Sequence, residues 1–236
     1  MSTTVGGTAP GARNFVAGNT QYGLILSSPG VTGNVIQGNN IGLLPTGAAG
    51  PNGAGGVILA NGANGNQIGG TAVGAGNRIS RNNGAGVAVA DAATTGNSIR
   101  GNAFSSNAGL GIDLWPGGVT PNDAGDGDTG PNRLQNYPVL TSAVNGTSTV
   151  VRGSLASAPN TTFRIEFFSS PGADPTLYGE GANYLGATSA TTNAAGNTAV
   201  FALTAPATVP AGQVVTATAT DPAGNTSEFS LRVVVA

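Results

Sequence analysis

Short runs of alternating apolar and polar residues fill the first half of the chain, and many of them are bounded by Gly or Asn. Such runs occupy residues 23–26, 56–59, 86–89 and 111–114. Alternation with a period of two predicts β-strands that bury one face. The residues predicted to face inward are Leu24, Leu26, Val57, Leu59, Val87, Val89, Ile112 and Leu114.

An internal repeat organises these runs. Residues 5–42 align without a gap onto residues 68–105, an offset of 63, with 15 identities in 38 positions. Within the first copy, Asn14 and Asn34 stand 20 positions apart, and each precedes an apolar residue by two places. That spacing suits one coil of a parallel β-helix, in which tight turns join three short strands, and it predicts about five coils. The stretch 43–52 is additional to the length that one coil needs, and it is predicted to project as a loop.

The Asn and Gly residues between the runs have a structural explanation. Sharp corners need residues at positive φ, where Asn and Gly are penalised least. Asn side chains stacked in successive coils can also hydrogen-bond from one coil to the next. We therefore assign the repeated Asn residues to structure rather than to ligand binding.

The composition changes after Asn136, where Gly and Asn become rarer and Thr, Val and Phe more frequent. We place a domain boundary there, between residues 1–136 and residues 137–236. Apolar runs separated by turn signals predict about seven strands in the second part, which is typical of an immunoglobulin-like β-sandwich. The predicted core residues are Phe163, Ile165, Phe167 and Val200.

Three segments of the repeat resemble a known family. They are residues 6–14 (GGTAPGARN), 33–42 (GNVIQGNNIG) and 66–70 (NQIGG). They are similar to the right-handed parallel β-helix repeats of large bacterial secreted and cell-surface proteins, and residues 111–137 resemble the segment that ends that β-helix before an immunoglobulin-like module. The resemblance covers nearly the whole chain. It implies an all-β fold, a short right-handed parallel β-helix followed by an immunoglobulin-like β-sandwich, and an adhesive or structural role.

Composition excludes several kinds of chemistry. The chain has no Cys and no His, and all 8 basic residues are Arg. Zinc sites of Cys and His, nucleophiles with a His base, Schiff-base and P-loop lysines and disulfides are therefore impossible. A formal net charge of -2 with scattered Arg gives no basic patch for nucleic acid.

No apolar run approaches the roughly 20 residues of a membrane span. Residues 1–20 also lack the basic start and apolar core of a signal peptide. We expect an extracellular or cell-surface protein whose export signal is absent from this sequence.

One loop carries a candidate metal site. Asp123, Asp126, Asp128 and Asn132 offer four oxygen ligands within ten residues of a Gly-rich stretch. A hard cation such as Ca²⁺ takes six to eight oxygens from flexible loops. The alternative is a solvated linker in which Asp and Asn cap their own backbone.

Parallel β-helices also host polysaccharide-cleaving enzymes, which need clustered carboxylates on one exposed sheet. Asp91 and Asp113 are the only acids in the coils, and the alternation places Asp113 opposite Ala88, away from Asp91. We therefore expect no enzyme.

Sugar binding without catalysis would use exposed aromatic residues. Trp115 is predicted to plug the end of the β-helix rather than to bind sugar. Tyr178 and Tyr184 lie in a Gly-rich excursion, residues 171–186, that could bind a glycan or another surface ligand.

The first coil should expose its strand edges, because the sequence begins within a repeat. An uncovered edge can pair with another chain, so self-association through the first coil is a further prediction. Three hypotheses thus stand: a structural or adhesive module, a subunit of a head-to-tail extracellular filament, and a carbohydrate-binding or carbohydrate-active protein.

Overall fold

The computed structural model describes residues 2–198 and 200–236, and this part of the chain is all-β. Besides strands it contains two short 3₁₀ helices, Pro10–Ala12 and Pro131–Leu134. The first twelve strands are β1 Thr4–Gly6, β2 Phe15–Val16, β3 Tyr22–Ser27, β4 Val35–Gln37, β5 Asn40–Ile41, β6 Gly55–Ala60, β7 Gln67–Gly69, β8 Arg78–Ser80, β9 Ala85–Val89, β10 Ser98–Arg100, β11 Ala103–Ser105 and β12 Ile112–Leu114. The remaining strands are β13 Val139–Val144, β14 Val150–Ser154, β15 Thr162–Ser170, β16 Asn183–Thr191, β17 Phe201–Thr204, β18 Val214–Thr220 and β19 Val233–Val234.

The first twelve strands form three parallel sheets. Their orders are β1-β4-β7-β10, β2-β5-β8-β11 and β3-β6-β9-β12. Each strand from β1 to β9 therefore pairs with the strand three places later, and the chain returns to the same sheet once per circuit. We call the three strands of one circuit a coil, so the described residues form four coils.

The coils are longer than the spacing from Asn14 to Asn34 predicts. Thr4 pairs with Val35, and Val35 pairs with Gln67, so two circuits together advance the chain by the offset of the sequence repeat. The predicted coil length and the count of five are wrong because Asn14 and Asn34 mark two corners of one coil. The sequence repeat is thus a unit of two coils.

Apolar residues of successive coils stack directly on one another. In the third sheet, Leu24 pairs with Val57, which pairs with Val87, and Val87 pairs with Ile112. The predicted inward positions are confirmed: all belong to one core, seven of them buried and Leu24 partly buried. Each fully buried Leu, Ile or Val contributes about 1.5–3 kcal/mol, so these columns are a main source of stability.

Asparagine side chains form ladders at the corners between the sheets. Asn77 is representative: its Oδ1 accepts hydrogen bonds from the backbone N of Asn39 (2.9 Å) and from its Nδ2 (3.1 Å), and its own Nδ2 donates to Asn102 Oδ1 (2.9 Å). Along the ladder, Asn77 thus accepts from the coil before it and donates to the Asn of the coil after it, while its Nδ2 also donates to Ile36 O in the coil before it. The three ladders are Asn14-Asn39-Asn77-Asn102, Asn19-Asn52-Asn82-Asn107 and Asn34-Asn66-Asn97-Asn132.

The stretch 43–52 projects only in part. Residues 44–49 are exposed at its tip, and an antiparallel bridge joins Leu43 to Ala49 at its base. Asn52 at its end is fully buried in the second ladder. The predicted loop is therefore a short hairpin, because its last residue is needed for the ladder.

The last seven strands form two antiparallel sheets with the orders β13-β14-β17 and β16-β15-β18-β19. Phe163, Ile165 and Phe167 are fully buried in a second core, as predicted. Val200 is instead 67% exposed, so its assignment to this core is wrong. Among the described residues, no helix has the length and apolar character needed to cross a membrane.

The ladder predicts a position-dependent cost of removing an Asn side chain. Asn77→Ala would leave the buried amide groups of Asn39 without their acceptor, and we expect it to lower the free energy of unfolding by about 3 kcal/mol. The matched change Asn14→Ala, at the exposed end of the same ladder, should cost about 1 kcal/mol or less. Urea unfolding followed by circular dichroism measures both. Equal costs at the two positions would contradict the ladder as a source of stability.

Candidate functional site

The outer edge of the fourth coil is covered by side chains from the second half of the chain. The chain has three glutamates, and each accepts backbone N–H groups of this coil or of the segment that follows it. Glu166 Oε2 accepts from Gly101 N at 2.8 Å. Glu228 Oε1 accepts from Leu114 N and Oε2 from Thr120 N, both at 2.9 Å. Carboxylates therefore satisfy donors that a further coil would otherwise have to satisfy.

Glu180 takes the place of the next ladder asparagine. Asn82 donates its backbone N (3.2 Å) and Nδ2 (2.9 Å) to Asn107 Oδ1. Asn107 then donates the same two groups, at 3.0 and 2.7 Å, to Glu180 Oε1. The second ladder thus ends on a carboxylate that accepts as an Asn of another coil would.

The third corner is covered by the hairpin that follows β18. Asn225 Oδ1 accepts from Gly96 N at 2.6 Å, and Thr226 Oγ1 accepts from Ile99 N at 3.0 Å. Asp221 holds this hairpin in shape by accepting from the backbone N and Nδ2 of Asn225. The turn 221–225 is therefore part of the cover.

Phe229 fills the apolar end of the coils. Its ring lies 5.5 Å from that of Phe104 and 5.3 Å from that of Phe168, both in edge-to-face geometry. Trp115, predicted to be the plug, is 49% exposed. That prediction is wrong because the second half supplies the aromatic side chain that packs against the last coil.

Burial changes the acidity of Glu228 and Glu180. Burial raises the pKa of Glu228 to about 7, the N–H groups of Leu114 and Thr120 oppose this, and the charge of Asp113 adds to it. Burial also raises the pKa of Glu180, against the opposing hydrogen bonds from Asn107 and Ser106. Both carboxyls thus hold a proton more tightly in the folded protein than in the unfolded chain.

The outer edge of the first coil has a different character. Asn14 and Asn19 are exposed there, whereas the Asn residues below them in the same ladders are buried. A small apolar groove of about 210 Å³ opens at this edge, between Val5, Leu24 and Val31. Self-association through this edge stays a prediction. In a filament that joined the first coil of one copy to the fourth coil of another, the side chains that cover the fourth coil would block the contact. A head-to-tail filament would therefore need a surface other than the fourth coil as the partner of the first coil.

The acidic loop brings together three of the four predicted metal ligands. Carboxylate oxygens of Asp123, Asp126 and Asp128 lie within 4.8 Å of one another. Asp126 is already bound on both oxygens: Oδ1 accepts from Asn136 N at 3.0 Å, and Oδ2 accepts from Gln135 Nε2 at 2.8 Å. Ser157 Oγ donates to the same Oδ2.

The other two aspartates retain free oxygens. Oδ1 of Asp123 and Oδ1 of Asp128 are buried and have no hydrogen-bond partner among the described residues. Burial is the largest cause of the raised pKa values of Asp126 and Asp128, and the neighbouring carboxylates raise both further. Mutual repulsion and unpartnered oxygens are the features that a bound cation would relieve.

Asn132 does not join this cluster. It is fully buried, its Oδ1 accepts from Asn97 N at 3.0 Å, and its Nδ2 donates to Asn97 O and Thr226 O. It therefore ends the third ladder. The ladder spacing from Asn34 through Asn66 and Asn97 was the signal in the sequence that could have assigned it there.

The two coil acids occupy separate places. Asp113 pairs opposite Ala88, as predicted. Asp91 lies beyond the end of β9 in the preceding coil, and its Oδ2 accepts from Asn61 N at 2.9 Å.

The connection between β15 and β16 borders one cleft, and the start of β16 borders a second. Residues 170–175 face β11 across a cleft of about 580 Å³. Tyr184, 43% exposed, borders a second cleft of about 360 Å³ opposite residues 70–74. Tyr178 instead packs edge-to-face on Tyr137 at 5.5 Å.

Comparison with known proteins gives little. No family model matches the chain, and no curated protein matches it. One similar solved structure is described as "Biofilm associated protein - BSP domain", with 23% identity over 44% of this chain and 15% of that chain and a TM-score of 0.29. The matched part is thus a small share of that protein, and a similarity this low carries no argument about fold or function.

The raised pKa values predict that stability falls as pH rises. The unfolded chain ionises Glu228 near pH 4.5 and the folded chain near pH 7, so the stabilisation is complete below 4.5 and is lost as pH rises through 7. For Glu228 alone this corresponds to about 3 kcal/mol. Calorimetry between pH 4.5 and 8.5 should show a falling melting temperature. Glu228→Gln should flatten that dependence, and a wild-type melting temperature that rises over this interval would contradict the assignment.

Proposed function

We propose that this chain is a non-enzymatic structural or adhesive module of a bacterial surface or secreted protein. In this proposal residues 1–136 form a short right-handed parallel β-helix and residues 137–236 an immunoglobulin-like β-sandwich that covers its end. The observation that carries the proposal is the pairing of each strand from β1 to β9 with the strand three places later, together with three ladders of hydrogen-bonded Asn.

Several features support a scaffold. In a stack of coils each layer touches only its neighbours, so stability accumulates along one axis and the outer faces remain available. The polar side chains of the coils are largely used within the ladders, which suits rigidity more than chemistry. Two antiparallel sheets over a common core are the arrangement of a β-sandwich.

Adhesion can be tested on surfaces. Beads coated with the purified chain should attach to polysaccharide-coated or bacterial surfaces more than beads coated with the unfolded chain do. Attachment to none of the surfaces would argue against adhesion and leave the structural role. Release of reducing or unsaturated ends from any polysaccharide would refute the non-enzymatic assignment.

We further propose that the acidic loop binds Ca²⁺. The specific observation in favour is the pair of buried, unpartnered oxygens, Oδ1 of Asp123 and Oδ1 of Asp128, beside Asp126. Main-chain carbonyls and water would complete the six to eight ligands that Ca²⁺ takes. Such an ion would join the end of the coils to the connection between β14 and β15, because Asp126 accepts a hydrogen bond from Ser157 in that connection.

Millimolar Ca²⁺ should raise the melting temperature of the wild type, since a ligand that binds only the folded state stabilises it. Asp128→Asn should abolish the shift while retaining the fold. Asp128 is a better position to change than Asp126, because the oxygens of Asp126 accept hydrogen bonds from three neighbouring groups. Asp174→Asn, in a different turn, is the matched control and should keep the shift. An equal response of wild type and Asp128→Asn would place calcium elsewhere.

A further inference from the structure

The largest cleft described above lies on the seam between the two halves of the chain. One wall is β11 with the corner that follows it, and the other is the segment 170–175. Its volume of about 580 Å³ is within the range of small-molecule sites, about 300–1,000 Å³. Residues 171–175 of that wall belong to the excursion that the sequence singles out as a candidate binding loop. Tyr178 and Tyr184, the aromatic residues of that excursion, lie outside this cleft, so the lining residues of the cleft carry the inference.

Polar groups with no structural partner gather in this cleft. Arg78 is exposed there, and the one ion pair among the described residues joins Arg164 to Glu166 instead. Asn183 is also exposed and lines the cleft. Asp174 uses Oδ1 to accept from Thr176, and its Oδ2 has no hydrogen-bond donor among the described residues. The Asn side chains of the ladders, by contrast, are hydrogen-bonded to one another from coil to coil.

The charges around the cleft favour a neutral ligand. The lining contains one guanidinium, that of Arg78, and two carboxyl groups, those of Asp174 and Glu180. The carboxyl groups would repel a polyanion, and the guanidinium would repel a polycation. Both oxygens of Glu180 already accept backbone N–H groups. Hydroxyl groups, which donate and accept in turn, match a lining that offers an Arg donor, an Asp acceptor and an Asn amide.

The cleft also offers apolar surfaces. Pro171 and Pro175 border it beside Ala103 and Ala173. A pyranose ring presents C–H groups on its faces and hydroxyls at its rim, so it can contact apolar and polar parts of such a lining together. We propose that this cleft binds a segment of a neutral polysaccharide, with Arg78, Asp174 and Asn183 as the recognition residues.

This inference rests on the adhesive part of the proposed function and names its ligand and its site. Neutral oligosaccharides from dextran, mannan and β-glucan are titrated against the purified chain by calorimetry, and alginate oligosaccharides serve as the acidic comparison. We expect at least one neutral sugar to bind and alginate not to bind. Arg78→Ala and Asn183→Ala should each weaken that binding by about tenfold, because each removes hydrogen bonds made only to the ligand.

Arg152→Ala is the matched control, since Arg152 is an exposed Arg on β14 in the other antiparallel sheet. It should bind the sugar as the wild type does. Circular dichroism and melting temperature confirm that each variant is folded.

Three outcomes would overturn the cleft assignment. They are failure of every neutral sugar to bind, binding of alginate in preference to neutral sugars, and neutral-sugar binding that Arg78→Ala and Asn183→Ala leave unchanged. In the last case, attachment of coated beads to polysaccharide surfaces would still uphold adhesion, so the two failures are distinguishable.

Discussion

This structure depends on one constraint: the backbone and side-chain amides at the corners of each coil must find hydrogen-bond partners in the next layer along the stack. Each coil presents donors on one side, and the next layer must accept them or leave them buried and unpaired. Asn meets this demand repeatedly because one side chain accepts two hydrogen bonds and donates at least one, as Asn77 does. At the last layer no further Asn coil is available, so Glu180, Glu166 and Glu228 accept instead. The two halves of the chain are therefore joined by the same kind of interaction that joins the coils.

Period and polarity made much of the fold predictable from the sequence. Alternation identified the inward residues of the third sheet, and the offset of the internal repeat marked a true unit of structure. Coil length was not predictable from the Asn spacing, because the same Asn-x-apolar pattern serves two corners and cannot tell one from the other. The contacts that cover the fourth coil were hidden as well. They pair residues far apart in the sequence, and a lone Glu carries no sign of its partner.

The candidate sites show a similar division. Three aspartates close in sequence are close in space, because a short loop leaves them little room to separate. Asn132 belongs to the ladder instead, since a buried amide hydrogen-bonded on both sides of a corner is more stable there than in a solvated loop. The prediction that Trp115 covers the end of the coils was wrong because of a tertiary contact. Phe229, which is distant in the sequence, packs there against Phe104 and Phe168. The cleft at the seam needs both halves, so the sequence indicated only the excursion that forms one of its walls and not the cleft itself.

A repeat unit of two coils sets a step size for the molecule. The two coils of a unit are nearly equal in length along the first sheet, where Thr4 pairs with Val35 and Val35 with Gln67. They differ along the second sheet, where Phe15 pairs with Asn40 after a short circuit and Asn40 with Arg78 after a longer one, so only the pair of coils restores the pattern. Gain or loss of one unit in the gene would leave every loop on its original face. With neighbouring strands about 4.8 Å apart, such an event would change the distance between the two ends by about 10 Å. Reach could therefore be adjusted by copying or deleting a unit without redesigning either the covered end or the surfaces beside it.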